Sequence, residues 1–90
     1  MGIYKNAAEL LIKRQFGIYG PERIKPVART SGYAIDNSGN ILAVGNEEEA
    51  FINFWERIKT DLGPVAVIGS KVTLMRFFSQ AGSEMPEWLE

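Results

Sequence analysis

The run Pro64-Val65-Ala66-Val67-Ile68-Gly69, followed by Ser70-Lys71-Val72, decides the architecture, because it reads in two ways. As a strand it is short, rich in β-branched residues and bounded by breakers, leading into a helix capped by Ser70. As a helix it starts on a proline at the first helical position and places Val65, Ile68, Val72 and Met75 at helical spacing, at the cost of an internal glycine. The spacing tips the balance toward one long helix from about 64 to 81, with a third strand over 64–69 as the open alternative. Leu74, Phe77, Phe78 and Ala81 give the later part a helical stripe in either case, ending at Gly82.

Upstream, Asn46-Glu47-Glu48-Glu49 has the spacing of a capping box, and three carboxylates face the positive end of the helix dipole. Phe51, Phe54, Trp55, Ile58 and Leu62 then form one apolar stripe, closed by Gly63-Pro64. Before this helix, Tyr33-Ala34-Ile35 and Ile41-Leu42-Ala43-Val44 flank Asp36-Asn37-Ser38-Gly39-Asn40, which predicts a β-hairpin with a four- or five-residue loop. A lone ribbon is marginal in water and must lie on helices or gain strands from a partner.

The N-terminal third predicts two helices. Asn6-Ala7-Ala8-Glu9 matches a capping box, and Ala7, Leu10, Leu11 and Arg14 continue it, so helix one spans about 6–16 with Gly17 as its C-cap. Gly20-Pro21 restarts the chain in a short helix that Pro26 either kinks or delays, and Ser31-Gly32 ends it. The expected fold is one α+β domain over 1–90, helices with a central β-hairpin in the order α-α-β-β-α-α. The two Gly-Pro pairs also echo each other faintly, as an internal duplication would.

Ninety residues hold a single core, and 46% hydrophobic with 23% charged residues is ordinary for a folded chain. The chain has no Cys and no His. Zinc, haem, iron-sulfur and copper sites and most nucleophile-base pairs draw on those side chains, so no cofactor, no metal and no catalysis are expected. Asp36, Ser38, Asn40 and Glu47 have calcium-loop spacing, but Ile41 stands where that loop needs glycine, and an Asx-rich turn explains the same letters. No aliphatic run exceeds the length of Val65-Ala66-Val67-Ile68, so no membrane partner is expected and a cytoplasmic location is the default.

The net charge of −1 hides a split: six cations against two acids in residues 1–30, and four against nine in 31–90. Two surfaces that attract each other within a fold or an oligomer account for this. An alternative is nucleic-acid binding by Lys13, Arg14, Arg23, Lys25 and Arg29, which span two predicted helices joined by a glycine-containing turn, as in a helix-turn-helix. The two prolines in the second helix leave few side chains for base edges. Ser70 and Lys71 form a weak candidate anion site that needs residues 65–68 to be a strand ending at a helix N-terminus. Trp88 in the tail either folds back or is an exposed anchor for a partner. A chain this small also keeps part of its apolar surface, aromatic surface included, in contact with water. The expected function is therefore a non-catalytic interaction or adaptor module that associates with itself as a homodimer, with another protein as the other possible partner.

Overall fold

The computed structural model describes residues 2–89. Two glycines divide the helical parts of the chain. Gly20 takes φ 90° and ψ 150°, and Gly63 takes φ 85° and ψ −176°, a region only glycine occupies readily. Each ends one helix and admits the next after a single residue, with proline as the first helical position. The elements are α1 (Ile3–Tyr19), α2 (Pro21–Ser31), β1 (Tyr33–Ile35), β2 (Ile41–Val44), α3 (Glu47–Arg57), a π-helical turn (Ile58–Leu62), α4 (Pro64–Gln80) and a final 3-10 turn (Glu87–Leu89). This is the α+β order α-α-β-β-α-α expected of the sequence, and residues 64–69 are the first turns of α4.

Helix α1 starts three residues earlier than its capping-box letters predict, and Asn6 lies within it. The Glu47 carboxylate, from the first turn of α3, supplies the acceptor instead, taking a hydrogen bond from the Lys5 amide at 3.3 Å. Gly2 leaves room for it: a Cβ there would come within 1.6 Å of Glu47 Oε1. The predicted C-cap, Gly17, also lies inside α1, which runs on to Gly20. Pro26 does not delay α2: the helix begins at Pro21, holds Pro26 inside it, and closes on left-handed Gly32.

The hairpin is antiparallel, pairing Tyr33 with Val44, Ala34 with Ala43 and Ile35 with Ile41, so Leu42 is the extra residue of a β-bulge. Asp36 organises its loop. One carboxylate oxygen accepts from the amides of Ser38 and Asn40, both at 2.9 Å, and the other from the Asn40 side chain at 3.0 Å. These bonds, the Asn40 side chain first, hold the Asp36 carboxyl below the usual range. The ribbon gains no third strand from the described residues; it lies on α1, where Glu9 accepts from the Ile41 amide at 2.9 Å.

Phe51, Phe54, Phe78, Leu11, Ile12, Ile24, Ile58 and Leu74 are fully buried and form the centre of the core. Asn46 caps α3 as expected, accepting from the Glu49 amide at 2.9 Å. Downstream, the tail returns to this core. Trp88 meets Phe51 edge-on at 5.2 Å and Tyr4 at 6.3 Å, and Leu89 is buried.

Candidate functional site

Helix α4 is built on two opposed apolar lines. Residues four apart on a helix share a face, and Ala66, Ser70, Leu74 and Phe78 form the line that is buried. Ser70 fixes its register on α1: the Gln15 amide nitrogen donates to Ser70 Oγ at 2.5 Å, and both residues are fully buried. Nearby, Arg14 of α1 lies across Gly69, where a Cβ would come within 2.6 Å of Nη2.

The second line faces away. Val65, Ile68, Val72 and Met75 are 80%, 66%, 47% and 53% exposed. Their 3-4-3 spacing is that of the a and d positions of a heptad, the narrow seam by which one helix packs on another. An apolar line along a helix normally packs on a neighbour, yet the described residues cover only one of the two lines of α4. The other exposed large apolar residues, Leu10, Ile18 and Leu42, lie on α1 and β2. The exposed large apolar residues are thus aliphatic or Met, while Tyr4, Phe16, Tyr19, Phe77 and Trp88 keep part of their aromatic surface in water.

The rim of this seam is cationic. On one edge stand Arg14, lying over Gly69, and Arg76; on the other stands Lys71. Neither guanidinium makes an ion pair or a hydrogen bond among the described residues. Helix α4 carries no acidic residue.

The basic residues singled out from sequence are dispersed. Lys13 pairs with Glu9 at 3.7 Å, and its stem approaches Gly39 in the hairpin loop. Lys25 donates to Asn37 Oδ1 in that loop. Arg23 stacks 5.1 Å over the Tyr19 ring, Arg29 is exposed in the last turn of α2, and Arg14 is turned toward α4. One glycine joins α1 to α2, shorter than the turn of a helix-turn-helix. The anion-site reading of Ser70 and Lys71 is corrected by the fold: both lie two turns inside α4, so no free helix N-terminus exists there, and the Ser70 hydroxyl bonds Gln15. Trp88 folds back on Tyr4 and Phe51 and is no exposed anchor.

A polar cleft of about 460 Å³ lies between α2 and α3, lined by Thr30, Asn53, Glu56, Arg57, Thr60 and Asp61. Its charges already have partners on the same helix: Lys59 with Glu56 at 2.8 Å and Arg57 with Asp61 at 3.9 Å. Among the described residues, no three carboxylates gather as metal ligands, and no helix is long and apolar enough to cross a membrane.

Comparison with known proteins finds no matching family, no matching curated protein and no matching solved structure.

Proposed function

We propose that the chain is a protein-interaction module that works by docking a helix against the outer face of α4, not by turnover. The observation that carries this reading is the exposed Val65-Ile68-Val72-Met75 seam on a helix whose opposite side is already buried. Leaving such a line in water forgoes burial worth roughly 1.5–3 kcal/mol for each large aliphatic side chain. A partner helix with matching apolar positions recovers it, in the helix-in-groove manner. The 17 residues of α4 run about 25 Å. A strip of that length and one helix wide falls short of the roughly 800 Å² per partner in a standard interface, which supports a contact of the weak, transient class.

The test uses the paired change Ile68→Asp and Val72→Asp with a solvatochromic apolar dye and a thermal melt. The reading expects the wild type to bind the dye, the variant to lose that binding, and the melting temperature to stay within a few degrees. A variant that melts like a core mutant, or dye binding that does not change, contradicts it.

A further inference from the structure

We propose that the occupant of the α4 seam is a helix of another protein that carries carboxylates along one edge, where they meet Arg14 and Arg76. This rests on the docking reading above and adds the chemistry of the partner. Arg14, held over Gly69, and Arg76 stand on the same edge of the seam. Positions 69 and 76 are seven residues apart, about 10.5 Å along the helix, which is one heptad of a partner lying alongside. Arg14 over position 69 and Arg76 one heptad further along α4, beside an apolar seam and without carboxylate partners among the described residues, match a helix with Leu-like seam residues and Glu or Asp flanking them. Guanidinium and carboxylate make paired, charge-assisted hydrogen bonds, so the edge selects sign and spacing together.

A second copy of the chain fits this face poorly. In an antiparallel pair centred near Ser70, the Gly69 edges meet and bring the two Arg14 guanidiniums together. That orientation sets cation against cation, and α4 has no acid to relieve it. Like charges across an interface suppress the wrong partner more than they tune the right one.

The experiment titrates the intact protein with two synthetic amphipathic helices by fluorescence anisotropy. Both carry Leu at the seam positions; one has Glu along its edges and the other Lys. The proposal expects the Glu peptide to bind about tenfold or more tighter than the Lys peptide, the usual scale for exchanging attractive for repulsive rim pairs. The preference should shrink as salt rises. Arg76→Glu, an exposed change, should largely abolish the preference, and Arg76→Gln should reduce it by less. Equal binding of both peptides overturns the acidic partner while leaving the docking face standing. Light scattering that shows a dimer, abolished by Ile68→Asp with Val72→Asp, makes the second copy the occupant and also overturns it. Failure of both peptides to bind, with no dimer, defeats the docking reading itself.

Discussion

A single carboxylate, Glu47, ties the start of α3 to the start of α1, and its neighbour Tyr33 shows the cost of the same crowding. The Tyr33 hydroxyl is buried without a hydrogen-bond partner among the described residues. Burial, and then the negative charge of Glu47, push its ionisation well above the ordinary tyrosine value. The folded protein therefore keeps a proton that the unfolded chain releases above about pH 10, so stability falls as pH rises beyond that point. Tyr33→Phe should remove this alkaline loss and leave neutral-pH stability nearly unchanged, as measured by urea unfolding across pH; an unaltered alkaline slope would count against the assignment. Glu47→Gln should cost about 0.5–1 kcal/mol through the α1 dipole, read in the same unfolding experiment. At this scale the sequence was only partly legible. Asn46 was readable as a cap because its acceptor and donor are three residues apart. Glu9 was not, because the amide it serves, Ile41, is 32 residues away; the local Asn6-Glu9 pattern mimicked a cap that the chain does not use.

The elements depend on two glycine joints and one buried polar pair. Gly20 and Gly63 hold a backbone region closed to residues with a Cβ, so Gly20→Ala and Gly63→Ala should each destabilise by about 1–3 kcal/mol, although a Cβ at either site would meet nothing within 4 Å. Thermal unfolding of the two variants separates backbone strain from packing. Ser70→Ala should cost about 1–3 kcal/mol by orphaning the Gln15 amide, whereas Gln15→Leu with Ser70→Ala should be closer to neutral. Gln15 Oε1 already lacks a partner among the described residues, so a double variant as damaged as the single one would show that the pair does more than satisfy the Gln15 nitrogen. The helix stops and the hairpin were legible because proline, glycine and Asx residues act locally. The 64–69 segment was not settled by local signals. Its valines favour a strand, and although the 65-68-72-75 spacing already tips the reading to a helix, the buried line 66-70-74-78 shows only once Ser70 is fixed against Gln15.

For the molecule as a whole, the decisive asymmetry is that one small core covers one side of α4 and leaves the other as a seam edged by Arg14 and Arg76. The sequence displayed the seam's spacing, and a helix with two opposed apolar lines in so short a chain was the available signal that one face must stay uncovered. Which face, and that Arg14 borders it, depend on how α1 and α4 cross, and no periodicity encodes that. The chain lacks cysteine, so thiols introduced singly report exposure without interference. The most direct measurement is the rate at which a maleimide in excess modifies Ile68→Cys, Val72→Cys and Leu74→Cys in dilute native protein, each against its unfolded rate. Cysteines at 68 and 72 should react within a few-fold of the unfolded chain, and the cysteine at 74 should be protected by orders of magnitude. Protection at 68 and 72 matching that at 74 would contradict an open α4 face.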